Sequence, residues 1–257
     1  MLLLVDLDGT VYTRSSPIDG AVAALADLRA AGHVLRFLTN TDSHPTASLL
    51  ASLVARGVPI HEGELFTSVT AAEALLAGAG DVRVLPVANE AVAAELAGRF
   101  PAASASVTHV VVGDVRSTLS YELLDAAFRA LRAGAELVAM QKGRFYLDDV
   151  GAHIDTGAIV AALEFAAGVP ATVVGKPSVA FLELAARSAG RPFPPDQICV
   201  VGDDVLSDIR MGRDAGARTV LVRTGKYPLQ RDLPDVPVPD HEIDSLAALP
   251  ALVRRLG

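Results

Sequence analysis

Three short, largely apolar runs, each cut off by polar residues, constrain this chain more than any other feature. Leu2–Val5 stops at Asp6, Val34–Leu38 stops at Thr39-Asn40, and Ile198–Val201 stops at Gly202 and the pair Asp203-Asp204. Runs of that length bounded by turn residues suit strands buried on both faces. The stretches between them carry apolar residues at helical spacing, as at Val22, Leu25 and Leu28 before Gly32. Strand alternating with helix predicts an α/β fold, a parallel sheet covered by helices. Ligands of such sheets bind outside the carboxyl ends of the strands, so polar residues far apart in sequence are expected to meet there.

In chain order the pattern predicts helices over 20–31, 49–54, 71–76, 89–100, 121–133, 156–167, 178–189, 207–215 and 246–256. Further strands are expected at 65–66, 82–87, 109–112, 136–140, 144–147 as half of a hairpin, 171–175 and within TVLVRTG. Gly78-Ala79-Gly80 is small and flexible enough to mark a boundary. The expected organisation is a core over 1–77 and 171–257, interrupted by an α/β insertion over 78–170. One continuous three-layer domain would read almost the same. The proline-rich stretch 228–239 reads as an irregular surface segment.

Composition narrows the function classes. The 257 residues are 51% hydrophobic and 20% charged, which fits a globular chain with ample core. The net charge of -8 is spread along the chain, and no Lys/Arg-rich run offers itself to a phosphate backbone, which sets nucleic acid aside. No apolar stretch approaches the roughly 20 residues of a membrane helix, and the opening run lacks the basic flank of a signal peptide. The single cysteine, Cys199, lies in an apolar run and reads as core filler, consistent with a reducing cytoplasm.

The chemistry-bearing residues gather at the predicted strand ends. Asp6 and Asp8 stand two apart at the first, where side-chain alternation would send both to one side about 7 Å apart along the chain. Their repulsion calls for a hard divalent metal or a shared proton. Lys176-Pro177 follows ATVVG, and Pro177 suits the first turn of a helix, which would hold Lys176 over the same edge. Taken singly, Thr39-Asn40 could be a turn, Lys176 a solvated loop residue, and Asp203, Asp204 and Asp208 a capped acidic helix start. Together they supply a nucleophilic carboxylate, a second carboxylate, a hydroxyl, a lysine and further acids, an inventory for phosphoryl transfer. Histidines 44, 109 and 153 show no metal-ligand spacing and read as ordinary surface or core residues.

DLDGT at Asp6–Thr10, TN at Thr39-Asn40, GKP at Gly175–Pro177 and GDDVLSD at Gly202–Asp208 stand in the order of the four motifs of the haloacid dehalogenase superfamily. The chain resembles that superfamily along its whole length. The long segment between the second and third motifs is similar to the α/β cap of its NagD-like and nitrophenyl phosphatase subgroup. ELFTSVTAAEALL, KGRFYLDDVG, ATVVGKPS and LVRTGKY look like the branch of phospholysine phosphohistidine inorganic pyrophosphate phosphatases. Members of that branch often carry Ser at the place of Asp8, whereas Asp is usual in phosphatases of the wider superfamily.

The resemblance implies a Rossmann-like three-layer parallel-sheet core with an inserted α/β cap domain, and a phosphatase acting on a small phosphorylated metabolite. It implies that Asp6 attacks the phosphoryl group and carries it as an aspartyl-phosphate, with Asp8 as general acid and base. Mg²⁺ would be held by the Asp6 side chain, the Asp8 backbone carbonyl and Asp203, with Asp208 behind them. Thr39, the Asn40 backbone and Lys176 would bind the phosphoryl oxygens or balance their charge. Arg144, Tyr146 and the pair Asp148-Asp149 near the hairpin could face the substrate, although a solvated cap surface is the simpler reading. Asp204 reads as a helix cap, and a homodimer is expected because capped relatives often dimerise. Two other readings use the same residues: a phosphotransferase or phosphomutase, and a regulatory phosphoacceptor. A non-catalytic interaction protein fits the complete motif set poorly.

Overall fold

The protein is described here by a computed structural model covering residues 1–13, 16–100, 106–147 and 150–256. In chain order its elements are β1 (Leu2–Asp6), β2 (Tyr12–Thr13), β3 (Ser16–Pro17), α1 (Ala21–Ala30), β4 (Val34–Thr39), α2 (Thr46–Ala55), β5 (Leu65–Thr67) and α3 (Ser68–Ala77). Next come β6 (Val84–Val87), α4 (Glu90–Arg99), β7 (His109–Val112), α5 (Tyr121–Arg132), β8 (Glu136–Ala139), β9 (Phe145–Leu147), β10 (Ala152–Ile154) and α6 (Thr156–Ala167). The last third holds β11 (Thr172–Val173), α7 (Val179–Arg187), β12 (Ile198–Gly202), a π-helical turn (Val205–Ile209), α8 (Arg210–Asp214), β13 (Arg218–Val222), α9 (Tyr227–Gln230), β14 (His241–Ile243) and α10 (Leu249–Leu256). None of the described helices is long and apolar enough to cross a membrane.

Two compact units emerge. The first comprises Met1–Thr39, Ala47–Phe66 and Lys176–Gly257, the second Asn40–Thr46 and Thr67–Gly175. The first is built on a six-stranded sheet in the order β14-β13-β12-β1-β4-β5. β1 sits centrally, parallel to β12 on one side and β4 on the other. That position explains its sequence: Leu2, Leu3, Leu4 and Val5 are all buried because both faces of the strand are covered. Leu3 and Val5 pack with Leu25 and Leu28 of α1 and Leu249, Leu252 and Val253 of α10, while α7 packs over the strands β1 and β4. Each fully buried leucine or phenylalanine of this kind contributes ~1.5–3 kcal/mol. Cys199 is fully buried within the same cluster, and burial pushes its thiol up to about 12, so it acts as core filler.

The second unit has its own four-stranded parallel sheet, β11-β8-β7-β6, and an antiparallel β9–β10 hairpin. Val110 and Val112 of β7 pack with Ala127 and Leu131 of α5 and Val160 and Leu163 of α6. This unit includes α3, which precedes the 78–170 expected for the insertion.

Three expectations change. The strand expected at ATVVG forms, but β11 pairs with β8 in the second sheet and does not join the first. An apolar run fixes that a strand forms, not which edge receives it. Pro177 is not in the first turn of α7, because Ser178 is the N-cap and the helix begins at Val179. The stretch 228–239 is not wholly irregular surface, since α9 runs to Gln230 and buries that side chain, and an edge strand, β14, follows it. Asp240 fixes that edge, its Oδ2 accepting from Thr219 N at 2.8 Å and Thr219 Oγ1 at 2.9 Å.

Candidate active site

Because β12, β1 and β4 are neighbours running the same way, their carboxyl ends share one edge of the first sheet. Asp6 closes β1, Thr39 closes β4, and Asp203 follows β12, all three buried. Lys176 reaches this edge from the segment ahead of α7. Its Nζ pairs with Asp6 Oδ1, lies 2.7 Å from Asp208 Oδ1 and donates to Leu38 O at 3.3 Å. Burial works against its charge, yet Asp208 and Asp6 outweigh that and hold the ammonium above the usual lysine range. Lys176 is therefore charged.

Carboxylate oxygens of Asp6, Asp203 and Asp208 lie within 4.8 Å of one another. Asp208 arrives there on the π-helical turn, and its Oδ2 accepts from Asp204 N at 3.3 Å. Burial, then the charges of Asp6 and Asp208, raise the Asp203 carboxyl well above the usual range. Burial likewise pushes Asp208 up to about 7 in spite of Lys176. The trio is thus short of positive charge. Asp6 Oδ2 is buried and accepts no hydrogen bond from the described residues. An all-oxygen donor set with an unsatisfied buried oxygen suits a hard divalent cation such as Mg²⁺.

Glycines make room for this crowding. A carbon added at Gly202 would come within 2.2 Å of the Asp208 carboxylate, and one at Gly9, where φ is +84°, within 2.3 Å of Asp203 Oδ2. Only glycine combines that backbone with such close approach. Asp203 also accepts from Thr10 Oγ1 at 3.5 Å through Oδ1 and from Lys226 N at 2.6 Å through Oδ2.

Asp8 lies just beyond the end of β1. β1 ends at Asp6, and residues 7–12 form a tight turn in which Leu7 O accepts from the backbone of Thr10, Val11 and Tyr12. Asp8 stands on this turn and is exposed while Asp6 is buried, and the charges of Asp6, Lys176 and Lys226 all act on its carboxyl. Desolvation by neighbouring groups and then the Asp6 charge raise its carboxyl, with Lys226 and Lys176 pulling the other way. A proton is held there more readily than on an ordinary aspartate.

Asp204 is not part of the trio. Its Oδ1 accepts from Leu206 N at 2.9 Å and Ser207 N at 3.2 Å, the capping role expected for it, and its Oδ2 pairs with Lys226 Nζ at 2.9 Å. Sequence reasoning gave no role to Thr10, Lys226 or Gln230. The run of β13 breaking at Arg223-Thr224 is the signal that could have found Lys226 and Gln230.

Asn40 opens the 40–46 segment of the second unit, where its carbonyl accepts from Ser68 Oγ at 3.3 Å. Within that unit Tyr146 stacks on His153 at 5.2 Å, with the Arg116 guanidinium 4.6 Å from the Tyr146 ring, and Arg144 is exposed. The pair Asp148-Asp149 lies outside the described residues. An open cleft of about 430 Å³ in the second unit is lined by Ser43, His44, Asn89, Glu90, Asp114 and Arg116, and by none of the acidic trio.

Comparison with known proteins agrees with this geometry. Residues 3–99 match the family model of haloacid dehalogenase-like hydrolases, and residues 173–249 match a second, HAD-hydrolase-like model. Human haloacid dehalogenase-like hydrolase domain-containing protein 2 is 36% identical over 225 residues, covering 88% of this chain and 85% of that one. The phospholysine phosphohistidine inorganic pyrophosphate phosphatase of Xenopus laevis is 35% identical over 255 residues, covering 95% and 91%. Among solved structures, the 4-nitrophenylphosphatase of Thermotoga maritima superposes with a TM-score of 0.85 at 27% identity over 97% of this chain and 96% of that one. The p-nitrophenyl phosphatase of Archaeoglobus fulgidus, at 24% identity, TM-score 0.86 and 98% coverage of each chain, shares the fold. The fold is a Rossmann-like parallel-sheet core with an α/β cap, and the chain belongs to the haloacid dehalogenase-like hydrolases, in the NagD-like, nitrophenyl phosphatase subgroup.

Proposed function

We propose that this protein is a Mg²⁺-dependent phosphatase that hydrolyses a small phosphorylated metabolite through an aspartyl-phosphate on Asp6. The observation that carries the reading is the environment of Asp6: one carboxylate oxygen is held by the charged Lys176, the other is buried and accepts no hydrogen bond from the described residues, and the carboxylate lies within 4.8 Å of those of Asp203 and Asp208. In the first step Asp6 forms a bond to phosphorus as the bond to the leaving oxygen breaks. Asp8, whose carboxyl holds a proton more readily than an ordinary aspartate, protonates that oxygen. In the second, water attacks phosphorus, Asp8 takes the proton from that water, and Asp6 is released as a carboxylate. Acid/base assistance of this sort contributes ~10²- to 10⁴-fold.

Mg²⁺ would be held by Asp6, Asp203 and the Asp8 main-chain carbonyl with Asp208 behind them, and would supply the positive charge that lets a carboxylate approach an anionic phosphate. Lys176 balances the charge of Asp6 and of the phosphoryl group, and Thr39 and the Asn40 backbone bind the phosphoryl oxygens. The first unit carries the catalytic role and the second, which is larger than the 78–170 expected from the sequence, the cap role, with the cap setting selectivity. The relative named for pyrophosphate, phospholysine and phosphohistidine adds P–O–P and P–N substrates to the candidates. A cytoplasmic setting and a homodimer complete the proposal.

The test is a panel of phosphate monoesters, pyrophosphate and phosphoamino acids assayed with Mg²⁺ and then with EDTA, using Asp6→Asn as the blank. Turnover that depends on both Mg²⁺ and Asp6 is expected. An Asp6→Asn variant with wild-type turnover of p-nitrophenyl phosphate would contradict the assignment. A tenfold preference within the panel, about 1.4 kcal/mol, would identify the substrate class.

A further inference from the structure

Lys226 stands in the segment Thr224-Gly225-Lys226 just beyond β13, and the reaction above does not use it. It grips both members of the adjacent pair Asp203-Asp204. Its backbone N–H donates to Asp203 Oδ2 at 2.6 Å, and its Nζ lies 2.9 Å from Asp204 Oδ2. Gln230 of α9 completes the grip: Nε2 donates to Asp204 Oδ1 at 3.0 Å, and Oε1 accepts from Val205 N at 2.8 Å. The segment is fastened to the first turn as well, where Thr224 Oγ1 donates to Gly9 O. A carbon at Gly225 would come within 1.9 Å of Asp203 Oδ2, so only glycine at 225 leaves room for the Asp203 carboxylate where it stands.

Two neighbouring aspartates could compete for one place in the acidic trio. Asp203 occupies it, while Asp204 caps the π-helical turn that carries Asp208. We infer that Lys226 is a positioning residue: by holding Asp204 away and Asp203 in place, it sets the affinity of the trio for its divalent cation. This rests on the metal reading proposed above. Simple electrostatics gives the opposite sign, since deleting an ammonium beside an acidic cluster should make a cation bind more tightly. If Lys226 acts by positioning, its loss leaves Asp204 buried without its cation and free to draw the loop out of register, and binding weakens.

The experiment titrates Mg²⁺ calorimetrically into the metal-free full-length protein, for wild type, Lys226→Met, Lys226→Arg, Asp204→Asn and the Lys226→Met/Asp204→Asn double variant. Circular dichroism checks folding, and p-nitrophenyl phosphate turnover is followed against Mg²⁺ concentration. Lys226→Met is expected to weaken Mg²⁺ binding about five- to tenfold, with Lys226→Arg within about twofold of wild type. Turnover lost by Lys226→Met at limiting Mg²⁺ should be largely recovered by excess Mg²⁺. The double variant should match Asp204→Asn within about twofold, because Lys226 acts through Asp204. Lys226→Met binding Mg²⁺ as tightly as wild type, or more tightly, overturns the inference. Should that variant not fold, tighter binding by the double variant than by Asp204→Asn overturns it equally. Wild type that binds no Mg²⁺ removes the metal reading itself, an outcome distinct from either.

Discussion

Replacing Asp42 with asparagine should change how the stability of this protein depends on pH. Asp42 is buried in the second unit, its Oδ2 accepting from Thr156 Oγ1 at 2.7 Å and Gln141 Nε2 at 3.4 Å. Burial, together with the charges of Asp155 and Asp114, pushes its carboxyl up to about 7, although the Thr156 hydroxyl pulls the other way. Unfolded, the same group titrates near ~3.9. Between about pH 4 and pH 7 the folded chain therefore holds a proton that the unfolded chain has released, so the contribution of Asp42 to stability is fully present below about pH 4 and is lost as pH rises through 7. A displacement of about three pH units, at ~1.36 kcal/mol each, corresponds to a loss of about 4 kcal/mol. Asparagine keeps the shape and an acceptor oxygen but does not titrate. Urea unfolding of both proteins, followed by circular dichroism in EDTA from pH 4 to pH 8, isolates Asp42, because every other group is common to both. The stability of Asp42→Asn relative to wild type should rise by about 4 kcal/mol across that range. A relative stability that moves by less than ~1 kcal/mol would refute the reasoning.

Removing Lys176 leaves Asp6 and Asp208 buried without their cation. Lys176→Met should therefore cost about 3–5 kcal/mol in denaturant unfolding and lower kcat/KM on p-nitrophenyl phosphate by ~100-fold or more; an unaltered unfolding midpoint would count against the buried pair. If Asp8 protonates the leaving oxygen, Asp8→Asn should be ~10- to 100-fold more damaging for an alkyl phosphate than for p-nitrophenyl phosphate, whose leaving group needs no proton. Equal losses on the two substrates would remove the acid role. Gly9→Ala places a carbon 2.3 Å from Asp203 Oδ2 at a φ of +84°, and should destabilise the fold by ~1–2 kcal/mol while weakening Mg²⁺ binding measured calorimetrically. Wild-type Mg²⁺ affinity in that variant would show that the turn does not shape the cation site.

What the sequence reveals of this protein follows from how each feature is encoded. Asp6, Thr39 and Asp203 were legible as a group because a buried strand writes itself as an apolar run and its end as a sudden polar residue. Neighbouring parallel strands then bring those ends together. The exposure of Asp8 was not legible, because it stands on a turn closed on Leu7 O beyond the end of β1. Nor was the place of β11, whose two residues could pair with either sheet. Asp42 reads locally as one more polar residue in Thr-Asn-Thr-Asp-Ser. Its burial is imposed by Gln141 and Thr156, about a hundred residues downstream. Lys226 was hidden for the same reason, since its two partners lie on another strand end.

The claim that Asp6 receives the phosphoryl group can be tested directly on the protein. A single turnover of p-nitrophenyl phosphate with excess enzyme and Mg²⁺, quenched in acid within the first turnover, should leave the Met1–Arg14 peptide heavier by one phosphoryl group. That mass should fall on Asp6, and it should be absent from Asp6→Asn. Turnover with no phosphoryl group on that peptide at any quench time, or with the group on a residue other than Asp6, would contradict the mechanism.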